Sequence, residues 1–378
     1  MRAVEIGLIG GGLMGRELAA LIGRWAALQD HPVRPRLTAV CDPDPKALAW
    51  FDRVDSVRRR TGDHRDLLAD DGLDVLYVAV PHHLHESIYL DCIAAGKDFL
   101  GEKPFGIDLA AARRIVTAVE ARPGLFVRCS SEMPFFPGAQ AVIAEAASGA
   151  LGPLIEAHSA FLHSSDLDVD KPINWKRRAE FCGAIGVLGD LGMHTTHVPL
   201  RLGWRPDRVT AVLQDIVRER PDGHGGRASC DTIDNATLHT RVPQERGDES
   251  WFPLTIETKR IAPGNMNTWR FAAMGMDGGV AYSTAEPKTV RRFRVRDGRQ
   301  VWEHAEVGAQ SVLPTITGGI FEFGFADALL QMWGAFLAER AGALGDGFGC
   351  ATPQEALASH ELFDAALRAA ATGRAEPL

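Results

Sequence analysis

The sequence contains no long apolar run. No stretch approaches the ~18 consecutive apolar residues of a membrane-crossing helix, so no membrane partner is expected. It also lacks paired cysteines. Cys41, Cys92, Cys129, Cys182, Cys230 and Cys350 are scattered without a C-x-x-C pair. That spacing suits neither a zinc site nor a disulfide framework and fits a reducing cytoplasm. No five or six basic residues run together, and the formal net charge is −8, which argues against a nucleic-acid partner. The densest basic run, Arg58–Arg60, reads as a solvated helix end. Met1–Glu5 leads directly into an apolar strand signal with no leader or twin-arginine pattern, so a cytoplasmic location is expected.

What is present is an ordinary globular composition, 46% hydrophobic and 24% charged, over 378 residues. That length exceeds what one core usually fills, so two domains are expected, 1–131 and 132–378. The first third alternates strand and helix signals, the pattern of βαβ units around a doubly wound parallel sheet. Strands are expected at Val4–Ile9, Leu37–Cys41, Val75–Val80, Asp98–Gly101 and Leu125–Cys129. Helices are expected over Met14–Leu28, from Pro45, and over Leu84–Ala95 and Leu109–Ala121. Val75–Val80 is wholly apolar, as a strand covered on both faces must be. After about Ser131 strands dominate: Ile155–Leu162, Val209–Val217, Ala236–Thr240, Leu254–Lys259, Arg270–Met274 and Arg291–Val295. This second part is expected to be an α+β domain on a large open sheet, mostly antiparallel or mixed. Gly223–Arg227 and Gln244–Ser250 are the expected mobile stretches, and Thr315–Phe325 is too apolar for an exposed loop: it reads as a substrate cap, a subunit contact or core, with core the default.

Gly10-Gly11-Gly12-Leu13-Met14-Gly15 matches G-x-G-x-x-G between an expected strand and an expected helix, the context in which that motif binds a dinucleotide. Gly10 permits the tight turn, and Gly12 admits a pyrophosphate. Leu13 and Met14 open the helix, and Gly15 lets it pack closely. Asp42 closes the second strand, where a carboxylate would bond ribose hydroxyls and repel a 2′-phosphate, favouring NAD over NADP. It equally suits the N-cap of the helix opening near Pro45. Glu102-Lys103-Pro104 follows another expected strand, at the edge where open α/β sheets bind ligands. Asp190 and His194 are four residues apart, hence on one face of a helix. An imidazole beside a carboxylate is a plausible general base for a hydroxyl proton. A solvated polar stripe or a metal pair with His197 are the alternatives, though no further ligands with recognisable spacing follow. Trp175 and Lys176 could stack on and bond a sugar, or form a surface turn; His163 ends the first strand of the second domain.

These residues together resemble the Gfo/Idh/MocA oxidoreductases, which include glucose-fructose oxidoreductase and inositol dehydrogenase. The resemblance rests on GLIGGGLMG (Gly7–Gly15), Pro81 with His85, AGKDFLGEKP (Ala95–Pro104), Trp175-Lys176, GAIGVLGDLGMH (Gly183–His194) and the closing segment Thr352–Gly373. It implies a Rossmann domain followed by an α/β domain whose open sheet packs against other subunits, hence a homo-oligomer, dimer or tetramer. It also implies that Lys103 contacts the nicotinamide ribose region and the reacting hydroxyl. His194 would be the acid/base, and Asp190 would bind substrate or orient its partners. Pro81, His82 and His85 would line the nicotinamide pocket, and Glu102 would touch the cofactor. His197 and His82 stand where many relatives carry Asp and Asn.

The expected activity is NAD-dependent oxidation of a secondary hydroxyl of a sugar, glycoside or cyclitol. A second enzymatic reading is an NAD-dependent glycosidase that oxidises the ring transiently, eliminates, adds water and re-reduces, for which His82, His83, His197 and the basic run near Trp175 leave room. A third is a sugar sensor that binds NAD without turnover; the intact set of Lys103, Asp190 and His194 argues against it.

Overall fold

A computed structural model describes residues 2–244, 250–308, 311–316 and 322–378. Residues 245–249 of the Gln244–Ser250 stretch and 317–321 of the Thr315–Phe325 segment therefore lie outside the described residues. The chain divides into two compact units.

The first unit is built on six parallel strands: β1 (Arg2–Ile9), β2 (Val33–Cys41), β3 (Arg59–Thr61), β4 (Val75–Val78), β5 (Phe99–Gly101) and β6 (Val127–Cys129). Their order is β3-β2-β1-β4-β5-β6. The order reverses between β1 and β4, which puts the ligand crevice of such a sheet at their carboxyl ends. Every residue of β4 is buried, as its unbroken apolar sequence requires. Helices α1 (Leu13–Gly23), α2 (Pro45–Ala49), α3 (Arg65–Leu68), α4 (His85–Ala94) and α5 (Leu109–Glu120) make the connections. Gly96, in the left-handed region at φ 69°, follows α4 as the glycine that ends many helices does.

Two expectations are corrected here. The helix over Met14–Leu28 stops at Gly23 and gives way to a 3-10 turn at Trp25–Ala27. Trp25 is instead held by its indole N–H, which donates to the Val33 carbonyl at 3.0 Å. The basic run near Arg58 is no helix end: Arg59–Thr61 pairs with Ala39–Cys41 as the sheet's edge strand. Its charges suit an edge, where exposed arginines discourage pairing with another chain.

The second unit opens with α6 (Pro137–Ala147) and β7 (Leu154–His163), followed by α7 (Ala179–Cys182) and the buried α8 (Val187–Arg201). Strands β8 (Arg208–Gln214), β11 (Asn235–Pro243), β12 (Trp251–Lys259), β13 (Asn267–Gly275), β14 (Gly278–Ser283), β15 (Thr289–Arg296), β16 (Arg299–Glu306) and β17 (Glu376–Pro377) join β7 in one nine-stranded sheet. A separate ribbon pairs β9 (Glu219–Pro221) with β10 (Arg227–Ser229), and Gly223–Gly226 form its turn. Among the described residues of the sheet only β7 and β12 run parallel, so the mixed, mostly antiparallel architecture is found. Period-two burial along β12 buries Phe252, Leu254, Ile256 and Thr258, on the face that packs against α8. The opposite face leaves Trp251, Val212 and Ile155 exposed.

Late in the chain, α9 (Phe325–Arg340) belongs to the first unit. Trp333 stacks edge-on against Tyr77 with centroids 5.0 Å apart, and Arg340 Nε donates to Asp98 at 2.8 Å. The last long helix, α10 (Pro353–Thr372), counts with the first unit through residue 357 and with the second thereafter.

Candidate active site

In the first unit, the chain leaves β1 through a glycine turn whose three motif glycines do different work. Gly10 sits at φ 106°, and a Cβ there would lie 2.2 Å from the Ala79 carbonyl oxygen. A Cβ on Gly15 would lie 2.3 Å from the Gly10 carbonyl oxygen. A Cβ on Gly12 would meet nothing within 4 Å. Gly10 and Gly15 are thus demanded by the protein's own backbone, while Gly12 leaves open space. Gly12 is also the N-cap of α1, no side chain caps that end, and Leu13 is 74% exposed. The first N–H groups of α1 are therefore available to an anion, the arrangement that holds a dinucleotide's pyrophosphate. These residues fit the cofactor. Gly15→Ala should destabilise the protein by about 1–3 kcal/mol and weaken dinucleotide binding. Thermal unfolding with and without NAD checks this; an unchanged melting temperature and affinity would show that the turn tolerates opening.

Asp42 closes β2, and its carboxylate accepts two main-chain N–H groups, from Gly11 at 2.8 Å and Asp44 at 2.8 Å. The N-cap of α2 is Asp44, which accepts from Lys46 N at 2.9 Å, so the capping role considered for Asp42 belongs to its neighbour. Asp42 braces the glycine turn from the end of the adjacent strand, and stays half-buried there.

The Glu102-Lys103-Pro104 segment leaves the carboxyl end of β5 and is held at three points. Tyr77 Oη donates to Glu102 Oε1 at 2.6 Å, and Tyr89 Oη donates to the Glu102 carbonyl at 2.6 Å. The ring nitrogens of His85 lie 2.6 Å from the Pro104 carbonyl oxygen and 2.8 Å from that of Val80. Burial lowers the His85 pKa below the ordinary histidine value, and a neutral ring donates to only one of those carbonyls. His85 stacks on Tyr89 and is wholly buried, so it ties the loop after β4 to the loop bearing Lys103. Glu102 is buried, and Lys103 is half-buried at the strand end. Pro81 and the buried His82 occupy the same edge, the His82 ring 5.4 Å from that of His85.

In the second unit, α8 is buried along nearly its whole length and carries Asp190, His194 and His197. Trp269 Nε1 on β13 donates to the His194 carbonyl at 2.6 Å. The Phe161 ring on β7 stands edge-on to His194 at 4.9 Å and to His163 at 4.6 Å, so both imidazoles flank one phenyl ring. Asp190 faces two cations: Lys176 Nζ lies 2.9 Å from one carboxylate oxygen and Arg260 Nε 3.5 Å from the other. Burial disfavours the Arg260 charge, but Asp190 and Cys182 outweigh it and hold its pKa above the ordinary arginine value. Arg260 also donates to the Lys176 carbonyl at 2.9 Å, fixing the turn that presents Trp175 and Lys176. The Lys176 ammonium lies 5.7 Å from the Trp175 ring centroid, within reach of a cation–π contact. His197 is fully buried and accepts from Arg201 Nη2 at 3.3 Å. Among the described residues, no three His, Cys, Asp or Glu side chains gather as a metal set.

The sequence singled out Lys103, Glu102, Asp42, Lys176, Asp190 and His194. It passed over Tyr77, Tyr89, Arg260, Phe161, Trp269 and Glu132. Tyr77 and Tyr89 carry a signal in retrospect: a tyrosine in a wholly buried strand or helix face needs a partner for its hydroxyl. Arg260 carries none, since one arginine after a strand looks like any other.

Comparison with known proteins places both units. Residues 4–128 match the family described as "Oxidoreductase family, NAD-binding Rossmann fold", and residues 139–281 match the GFO/IDH/MocA C-terminal domain. Levoglucosan dehydrogenase of Pseudarthrobacter phenanthrenivorans is 25% identical over 298 residues, covering 75% of this chain and 74% of that protein. Trans-1,2-dihydrobenzene-1,2-diol dehydrogenase of Sus scrofa is 25% identical over 274 residues, covering 68% and 78%. A solved levoglucosan dehydrogenase in complex with NADH and L-sorbose superposes with a TM-score of 0.88 at 21% identity, covering 100% of this chain and 99% of that one. An NAD-binding oxidoreductase from Klebsiella pneumoniae superposes with a TM-score of 0.84 at 25% identity, with the same coverage.

Proposed function

The chain belongs to the Gfo/Idh/MocA oxidoreductase family and carries its NAD-binding Rossmann domain, and from that premise we propose that it oxidises a secondary hydroxyl of a sugar, glycoside or cyclitol. The observation that carries the reading is the fixed presentation of Lys103: two tyrosine hydroxyls and one histidine hold its loop at the edge where the family binds its cofactor. When bound, NAD supplies the hydride acceptor. Lys103 is the group that steadies negative charge developing on the substrate oxygen. His194 accepts the hydroxyl proton, with its backbone held by Trp269 and its ring against Phe161. Asp190, braced by Lys176 and Arg260, supplies a fixed acceptor for a second substrate hydroxyl, and Trp175 offers an apolar face to a pyranose ring. Asp42 favours NAD over NADP, because a 2′-phosphate would meet its carboxylate. The exposed apolar face carrying Trp251, Val212 and Ile155 supports assembly into a homo-oligomer through the sheet.

Two features that leave room for a glycosidase are engaged in the fold: His197 pairs with Arg201, and Arg177 is buried between Asp166 and Asp234. The test is incubation with NAD and a panel of free sugars, cyclitols and aryl or sulfonated glycosides, reading NADH absorbance and aglycone release together. NADH should accumulate in proportion to the substrate consumed. Aglycone release that needs NAD but yields no net NADH would replace the dehydrogenase reading with a glycosidase.

A further inference from the structure

Beyond the β5 edge the first unit holds a second buried carboxyl that the mechanism above does not use. β6 runs beside β5, and Ser130 N donates to the Gly101 carbonyl at 2.9 Å, so the chain passes next to the Glu102-Lys103 segment. Ser130, Ser131 and Glu132 follow in succession, the two serines wholly buried and Glu132 6% exposed. The hydroxyls of Ser130 and Ser131 find no hydrogen-bond partner among the described residues. Buried unpaired hydroxyls are uncommon and mark either bound water or a working site. Among the charged and titratable groups that bear on Glu132 are Glu102, Lys103 and, on β4, Tyr77. Burial first, then the neighbouring Glu102 charge, push the Glu132 carboxyl up to about 7, and Lys103 opposes them.

The charges at this edge nearly dictate what Glu132 does. Lys103 contributes one positive charge and Glu102 one negative, so the edge is neutral when Glu132 is protonated. The glycine turn after β1 and Asp42 after β2 take the adenosine half of the dinucleotide, which assigns the nicotinamide half to the β4–β6 side. An oxidised nicotinamide ring is positive and a reduced one is neutral. We propose that Glu132 is the proton counterpart of the hydride: ionised beside the oxidised cofactor and protonated beside the reduced one. The step then balances. The carbinol C–H bond breaks and its hydride goes to NAD+, the O–H proton passes to His194 and from there to solvent, and the ionised Glu132 takes up one proton from solvent as the ring loses its positive charge. Glu132 thereby acts on the cofactor's redox equilibrium through charge, a positioning role rather than contact with the reacting atoms. This inference rests on the NAD reading.

Isothermal titration of the full chain near neutral pH, in two buffers of different ionisation heat, separates the two claims. NAD+ binding should release up to about half a proton, and NADH binding should release none. The NAD+ to NADH affinity ratio should rise up to about tenfold per pH unit between about pH 6 and 8, and Glu132→Gln should flatten it. Binding of NAD+ with no proton release by the wild-type protein overturns the proposal, as does release that persists undiminished in E132Q. If E132Q fails to fold, the wild-type proton count decides alone. Absence of any NAD+ binding would sink the cofactor reading and the proposal with it.

Discussion

Replacing Lys103 with alanine should lower kcat by about a thousandfold while the protein still folds and still binds NAD, the loss typical of removing one preorganised stabiliser of developing charge. The fold should survive because the loop is not held by this side chain. Tyr77, Tyr89 and His85 fix it through Glu102 and the Pro104 carbonyl, and Lys103 itself is half-buried. Cofactor binding should survive because the glycine turn, the open end of α1 and Asp42 lie on the other side of the sheet's switch point. Lys103→Arg should rescue little, since a planar guanidinium cannot replace a compact ammonium at one oxygen. The measurement is kcat and KM on a turned-over substrate, beside circular dichroism and an NAD titration. Full activity in K103A would remove Lys103 from the site.

The cofactor half of this site was legible because its constraints are local. A strand, three spaced glycines and a helix lie within Arg2–Gly23, and each glycine answers a clash or an open space that the neighbouring backbone sets. The apolar run of β4 and the lysine after β5 could be read for the same reason. The substrate half resisted because its contacts join distant residues. Asp190 meets Lys176 and Arg260, and Arg260 reaches back 84 residues to the Lys176 carbonyl. Spacing along α8 put Asp190 and His194 on one face but did not reveal that Asp190 already had two cationic partners.

The fold shows the same division. Strands with alternating or continuous apolar sequence were found. The three-residue edge strand β3 is basic, and β16, with alternating exposed charges, has too little buried surface to announce itself. The return of α9 to the first unit depends on Trp333 against Tyr77 and on ion pairs of Arg128 with Glu339 and Arg340 with Asp98, each spanning more than two hundred residues. No window along the sequence contains such a contact.

Arg177→Met should destabilise the protein by about 3–5 kcal/mol, the range for breaking a buried ion pair from one side. Arg177 is fully buried and bridges two carboxylates, Asp166 and Asp234. Asp234 is itself wholly buried, and its other oxygen accepts from Ile216 N and Val217 N, each at 2.8 Å. Methionine fills much of the space but leaves Asp234 without a cation in a region that excludes water. Asp166 fares better, because Lys171 remains 3.3 Å away. The asymmetry predicts that R177M combined with Asp234→Asn is less damaged than R177M alone, since removing the stranded charge relieves most of the penalty. The loss should appear as a drop of on the order of 10 °C in melting temperature. It should carry a rise in KM as well, because Arg177 sits in the same 3-10 turn as Trp175 and Lys176. A variant that melts like the wild type would mean that water or a rearranged lysine reaches Asp234. A variant that melts early but keeps its KM would separate this ion-pair network from substrate binding.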